Sequence, residues 1–412
     1  MNKKKGERIL EPNHHLKISM RILRNMGTLP PKLTGFYKTM FFVYSFCFFM
    51  FTLGVYLFVE IVNIIINCNN LAKIASGVPL FITNSLHAYK FILIVWHHQK
   101  IHNLLSIIES SVFSKDNVRY KKVLSSFAWQ GIVHHCTYQI IGAFGVTSMS
   151  LIPISALVND NERRLPLDGW YPFDTTKSIA FVITWTHQAV AIIMCCINNL
   201  AIDSFISGLI NVACCQFEIL KLNIASIGDN SEKNSLSQNS IEKVDEDLVD
   251  KKIKEKLRKC IEHNLTIYDF INELQNIFCT AIGLQLFINS VVICLSTYSV
   301  SQMTTYVPAE LIGHSFYALC MTYQIFIYCY NGNELYLQNE NLGTAIYMGN
   351  WLNLKLRYKR DLQIIMLRSQ RPLIFYTDFL IKLTVQTFMS IIQTSYSMFT
   401  LLHRKQVSSQ SI

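Results

Sequence analysis

The sequence predicts an all-α polytopic membrane protein with seven transmembrane helices. Three observations predict it. Of the 412 residues, 51% are hydrophobic and only 16% are charged, whereas a soluble domain carries about 25% charged residues. Apolar runs of about 20 residues, the length a helix needs to cross the hydrocarbon core, recur along the chain. The lysines and arginines concentrate in alternate connections, as the positive-inside bias of membrane proteins requires.

Residues 1–38 are polar and basic, beginning with Lys3, Lys4, Lys5 and Arg8, and form a cytoplasmic N-terminal segment. They do not read as a secretory signal, because the first apolar run starts only near Thr39 and no small-residue cleavage site follows it at the right distance. The first span is 39–59, without a charge. The second is 74–96, interrupted by Pro79, Asn84 and Lys90. The third lies within 126–157, the fourth within 178–202, the fifth within 274–300, the sixth within 310–331 and the seventh within 374–402. Together they make one membrane domain over 39–402. Spans three to five exceed bilayer length, and the excess is expected to project into the cytoplasm as a packed bundle. Polar side chains inside them, such as Gln130, Gln139, Asn198, Asn199, Gln285 and Asn289, must face other helices or water rather than lipid. The stretch 228–250 is polar and poor in aromatics, and reads as a disordered insertion in the loop between spans four and five. From Lys251 onward Ile253, Leu257, Ile261, Leu265 and Tyr268 recur at three- and four-residue steps, so a helix leads into span five. Residues 403–412 form an extracellular tail.

Orientation follows from the basic residues. They crowd residues 1–38 and the loops between spans two and three, four and five, and six and seven. The other face holds Lys73, Arg163, Arg164, Lys177, Arg404 and Lys405. The N-terminus is therefore cytoplasmic, and an odd number of spans puts the C-terminus outside. The net charge of +10 belongs to this asymmetry, and no nucleic-acid partner is expected.

The chain has no Walker loop, G-x-G-x-x-G, H-E-x-x-H or G-x-S-x-G, and no intramembrane acidic pair at catalytic spacing. An enzyme is not expected, and no cofactor is implied. The twelve cysteines form no C-x-x-C. Most lie in apolar runs, where cysteine behaves as a small hydrophobe. His97-His98 and His134-His135 point in different directions on a helix and chelate poorly, so no metal site is expected.

The informative segment is the last third. It holds FIYCYNGNEL (326–335), NLGTAIYMGNW (341–351), IIMLRSQRPL (364–373) and IIQTSYSMFTLL (391–402) in that order. This series resembles the C-terminal signature of the insect odorant receptors. MRILRNMGTLP (20–30) is similar to that family's N-terminal cytoplasmic helix, and CIEHNLTIYDFINELQNIF (260–278) to its approach to span five. The chain departs from the pattern at FYTDFLIKL (375–383), where many members carry a glycine early in span seven, and at IIQTSYS, where many carry a lysine shortly before Ser-Tyr-Ser.

The resemblance implies an odorant-receptor subunit that binds a small volatile organic ligand and gates a non-selective cation pore. It implies a heterotetramer with the shared co-receptor, multi-pass in the plasma membrane, in the dendrites of olfactory sensory neurons and in contact with lipid. The chain would be the tuning subunit. The outer halves of the spans offer candidate ligand contacts at Phe81, Ile82, Gly145, Ser148, Met149, Ile152, Phe181, Thr184, Gln188, His314 and Tyr317, since an apolar cleft with a few polar groups suits such a ligand. Packing alone accounts for each of them equally well. Trp170, Tyr171 and Phe173 in the loop 159–177 could form a lid or simply sit at the membrane interface. The terminal motif implies a pore and gate at Met398, Phe399 and Leu402, with Tyr396 and Thr400 close by. The alternatives are a gustatory receptor of the related family, whose span-seven signature is absent, and a G-protein-coupled receptor. The latter is opposed by the orientation and by the lack of Asp-Arg-Tyr and Asn-Pro-x-x-Tyr motifs.

Overall fold

The computed structural model describes residues 13–410 except 33, 67–70, 115–118, 160–164, 168, 176, 229–241, 302–307 and 380; the side chains of 71–76, 114, 151–159, 242–246, 308–310 and 402–410 are likewise outside the description. Most of the 228–250 insertion, the side chains of Ile152 and Leu402, and the tail 403–412 thus fall outside the described residues.

Helices dominate what is described. After α1 (Leu16–Asn25) come α2 (Phe36–Ile66), α3 (Leu71–Trp96) and α4 (His98–Glu109). Then follow α5 (Lys121–Asn159), α6 (Ser178–Ala225), α7 (Glu242–Ser301) and α8 (Pro308–Met348). The series closes with α9 (Leu356–Ser369) and α10 (Val385–Gln410). Spans one to seven correspond to α2, α3, α5, α6, α7, α8 and α10. Among the described residues, stretches long and apolar enough to cross a membrane lie in α2, α3, α6 and α7. α5, α8 and α10 have 39, 41 and 26 residues, also enough length for a crossing. The 60 residues of α7 reach about 90 Å at 1.5 Å per residue, far beyond a bilayer. Its charged first half contains the helix that the apolar steps from Lys251 lead one to expect ahead of span five.

α1 docks on α6 through Leu16, Met20 and Leu23, all buried. The approach is close because Gly208 of α6 has no side chain: a Cβ there would stand 2.5 Å from a Leu16 methyl. The His15 ring bonds the Gly208 carbonyl at 3.1 Å, and Ser19 bonds His135 at 3.2 Å. α1 stops at Gly27, whose φ of +70° is the left-handed conformation glycine adopts without strain. Thr28 and Leu29 N–H groups then return to the Leu23 carbonyl.

Within α2 a π-helical turn spans Met50–Gly54, where Thr52 hydroxyl donates to the Phe48 carbonyl at 2.8 Å. In α3 the Thr83 hydroxyl donates to the Pro79 carbonyl at 2.8 Å and accepts from the Tyr317 hydroxyl of α8 at 2.8 Å.

Span seven was expected to start near Ile374. Its helix begins instead at Val385. The segment before it is a hairpin, with Tyr376 bridging Lys382, Thr377 N–H to Ile381 carbonyl and Leu383 N–H to Phe375 carbonyl, both 3.0 Å. Its apolar residues mimic a span in the sequence because Phe375 and Leu383 are fully buried. Leu383 presses on Gly332, where a Cβ would come within 2.4 Å of it. The glycine of FIYCYNGNEL therefore makes room for the hairpin. Thr384 hydroxyl then accepts the Thr387 N–H at 3.2 Å as an N-cap.

Candidate ligand-binding cavity

Successive turns of α6 place Gln188, Ala191, Ile192, Cys195, Cys196 and Asn199 on one face. That face closes one wall of a cavity of about 110 Å³. α5 contributes Gly142, Gly145 and Met149, and α8 contributes Phe316, Tyr317, Cys320 and Met321. α3 adds Leu80, Thr83 and Asn84, and α2 adds Thr52, Val55 and Tyr56 beside its π turn. Glycines thin the α5 wall: a Cβ at Gly142 would collide with Leu200 at 2.4 Å. No Asp, Glu, Lys or Arg lines the cavity, and His187 is the one imidazole on its wall, so it suits a largely apolar guest.

One rim of the cavity is capped by the segment ahead of α6. Gln188 accepts the Leu167 N–H and donates to the Leu167 carbonyl, both at 3.1 Å, and donates to the Tyr171 hydroxyl at 2.8 Å. Of the three aromatics proposed as a lid, Tyr171 lines the cavity. Trp170 and Phe173 are exposed, with Phe173 against Tyr171.

Of the ligand positions expected from sequence, Gly145, Met149, Gln188 and Tyr317 line this one cavity. Phe81 and Ile82 sit half-buried on α3 beside lining residues. Ser148 donates back to the Phe144 carbonyl, and Thr184 is buried one turn from Gln188 without lining the cavity. Phe181 and His314 are half-buried further along α6 and α8. The side chain of Ile152 is outside the described residues. Sequence reasoning missed the α2 wall and the lower α6 stripe through Asn199. The stripe was findable by stepping three and four residues on from Gln188.

One turn beyond the cavity floor lies a buried polar hub. Lys90 Nζ of α3 bonds Asp203 Oδ1 of α6 at 2.7 Å, and both side chains are almost fully buried. Tyr328 hydroxyl donates to the same oxygen at 2.7 Å, and Tyr138 hydroxyl to Oδ2 at 3.4 Å. Gln324 also donates to Asp203, and its own oxygen accepts from Gln285 and Asn289 of α7 at 2.9 and 2.8 Å. The lysine that interrupts span two in the sequence is thus the partner of an aspartate 113 residues away.

α10 presents two different faces. Ser395 is buried, donating to the Ser290 carbonyl of α7 at 3.1 Å, and Phe388 meets Phe326 of α8. Opposite runs an exposed stripe of Gln386, Ser390, Gln393, Thr394 and Ser397. Its hydroxyls donate back along the helix to carbonyls of the preceding turn. Tyr396 and Met398 are exposed at 67% and 44%, and Phe399 and Thr400 are half-buried. The Leu402 side chain is outside the described residues.

Among the described residues, long helices of a membrane-type bundle enclose a cavity walled by α2, α3, α5, α6 and α8. The family described as 7tm odorant receptor matches residues 70–396, and the chain belongs to that family. Odorant receptor 46a, isoform A, of Drosophila melanogaster is 23% identical over 346 residues, covering 84% of this chain and 86% of that one. Odorant receptor Or1 of Anopheles gambiae is 26% identical over 254 residues, covering 59% of this chain and 61% of that protein. The solved structure of the insect olfactory receptor OR5 from Machilis hrabei in complex with eugenol has the same fold. Its TM-score is 0.79 at 17% identity, covering 94% of this chain and 97% of that one.

Proposed function

We propose that this chain is the ligand-binding, tuning subunit of an odorant-gated, non-selective cation channel, assembled with the co-receptor as a heterotetramer. The carrying observation is the pairing of an internal apolar cavity with a polar stripe on the outer face of α10. A row of hydroxyls and amides facing lipid would be costly, whereas neighbouring subunits around an aqueous path would wet it. The cavity admits the small volatile ligand. The pore is lined by Ser390, Thr394, Ser397 and the exposed Leu401, with Tyr396, Met398 and Thr400 at the border of the stripe. Phe399 instead shares the bundle-facing side with Phe388 and Ser395. The domain reading keeps residues 1–38 cytoplasmic, 39–402 as the membrane domain and 403–412 outside. The site of action is the dendritic plasma membrane of olfactory neurons.

The test is to express the chain with and without the co-receptor and record currents under an odorant panel, with G-protein signalling blocked. Odorant-evoked currents are expected to need both subunits and to survive the block. Responses abolished by the block would end the channel reading. A C-terminal tag should be stained on intact cells; staining only after permeabilisation would invert the topology. The single glycosylation sequon, at Asn264, tests topology poorly, because Asn264 is buried within α7.

A further inference from the structure

Two adjacent asparagines of α6 have opposite fates. Asn198 accepts the Thr28 hydroxyl at 2.8 Å and bonds His87 at 3.2 Å. Asn199 lines the cavity, and its Oδ1 is buried without a partner. Most of the other polar lining groups have partners within the protein: Thr52 bonds the Phe48 carbonyl and His187 Nε2 the Phe51 carbonyl. Thr83 and Tyr317 bond each other at 2.8 Å, Asn84 bonds the Leu80 carbonyl, and Gln188 is saturated by Leu167 and Tyr171. A buried amide left unpaired is costly, and a native site retains one for a reason.

We propose that Asn199 is the hydrogen-bonding anchor for the ligand, and that the cavity selects a compact neutral molecule bearing one hydroxyl, a small phenol or alcohol. This rests on the cavity being the ligand site. A hydroxyl both donates and accepts, so it satisfies the carboxamide in either orientation. Size fixes the rest of the molecule. The cavity's 110 Å³ is of the order of the roughly 150 Å³ apolar cavity that admits benzene. A charged ammonium is disfavoured, because it would lose its water and meet no carboxylate on the lining, and a carboxylate would find no Lys or Arg there. A ligand without the hydroxyl enters the same space but leaves Asn199 unpaired, and sites built around a hydrogen bond discriminate strongly against such analogues.

The experiment uses isosteric pairs in which OH is exchanged for CH₃: 4-methylphenol against 1,4-dimethylbenzene, and cyclohexanol against methylcyclohexane. Currents are recorded from the full chain with the co-receptor. Ligand-induced thermal stabilisation of the purified complex is a second readout that does not require gating. In the parent, the hydroxyl member of a pair should act at about tenfold lower concentration, equivalent to about 1.4 kcal/mol. Asn199→Leu should shrink that ratio to about twofold by weakening the hydroxyl member. Without ligand it should melt no lower than the parent, since an apolar isostere removes the unpaired amide. Equal potencies in the parent overturn the proposal, as does a hydroxyl preference that survives Asn199→Leu. So does a panel in which other compounds bind or activate and no hydroxyl compound does. Gly145→Leu, which places a bulky side chain against Phe316 and Tyr317 on the cavity wall, separates this from failure of the underlying reading, at matched surface expression. If odorant responses persist in Gly145→Leu, the cavity is not the ligand site at all. If they vanish while Asn199→Leu keeps the parent's selectivity, only the anchor assignment falls.

Discussion

The two ends of α6 are built differently. From Leu200 to Phe217 every residue is buried, while from Ser178 to Asn199 only Thr184, Gln188, Ala191 and Asn198 are. The packed end contains polar side chains, and the protein itself supplies most of their partners. Asp203 bonds Lys90, Tyr328, Tyr138 and Gln324; Asn211 bonds the Phe127 carbonyl; Gln216 bonds the Phe113 carbonyl and His263. Ser204 is the exception, with an unpartnered hydroxyl. At the cavity end the walls are thinned by glycine and Asn199 is left open. One helix thus joins a region that fixes the bundle to a region that leaves room. The hub of Asp203 lies one turn from the cavity residues Leu200 and Met321, and its network runs on to Asn289 of α7, beside the Ser290 carbonyl that receives Ser395 of α10.

The comparison breaks most visibly at Asp203. Asp203→Ala leaves the Lys90 ammonium buried and unpaired, and removing one member of a buried pair costs about 3–5 kcal/mol. The expected result is a large fall in melting temperature of the purified protein and in surface expression. The double change Lys90→Met with Asp203→Leu should recover much of the loss, because no buried charge remains. A double variant as unstable as the single one would show that the pair is not the coupled element of this end.

Much of this division was legible in the sequence. The spans follow from hydrophobic runs; the excess length of α6 was visible as a charge-free stretch running past the bilayer, and the long lead-in of α7 as the apolar steps of three and four residues from Lys251. What stayed hidden depends on residues far apart in the chain. Lys90 looks like a flaw in span two until Asp203 is brought to it across 113 positions. The hairpin before α10 looks like the start of a span because burying Phe375 and Leu383 needs the same apolar side chains that a membrane helix does. The α2 wall was invisible because the residues of a uniformly apolar span give no sign of which ones face inward.

Acid should weaken the packed end selectively. His15 and His263 are buried, and loss of water pushes both down to about 4 from the usual 6.5. The hydrogen bond from His15 to the Gly208 carbonyl offsets only part of this. The unfolded chain therefore takes up protons first as pH falls through 6.5, and stability present above that pH is lost progressively toward 4. At pH 5 the loss is about 2 kcal/mol for each histidine. Melting temperatures at pH 7 and pH 5 should differ accordingly, and His263→Gln should flatten the dependence. A receptor equally stable at both values would mean that these rings are solvated.

The smallest effect on stability and the sharpest effect on function are expected on α10. Ser390, Thr394, Ser397 and Leu401 recur at steps of four, three and four residues, so they share one helical face, and Leu401 is 67% exposed. Phe399 follows Phe388 and Ser395 by eleven and four residues, which puts it on the opposite face; that face packs on the bundle through Ser395 and Phe388. The terminal motif alone had suggested a constriction of Met398, Phe399 and Leu402. The geometry favours Leu401 as the apolar side chain that reaches the pore. An apolar constriction closes a pore by excluding water, so a small polar side chain there should let it leak. Leu401→Ser is expected to raise basal current or shift the reversal potential, at a stability cost within about 0.5 kcal/mol as for other exposed positions. Phe399→Ser should leave reversal potential unchanged and lower thermal stability, because it removes packing on the bundle side. The two variants are compared beside the parent at matched surface expression. The opposite pattern, with Phe399→Ser leaking and Leu401→Ser silent, would return the gate to the bundle-facing side and require α10 to rotate by roughly half a turn when the channel assembles.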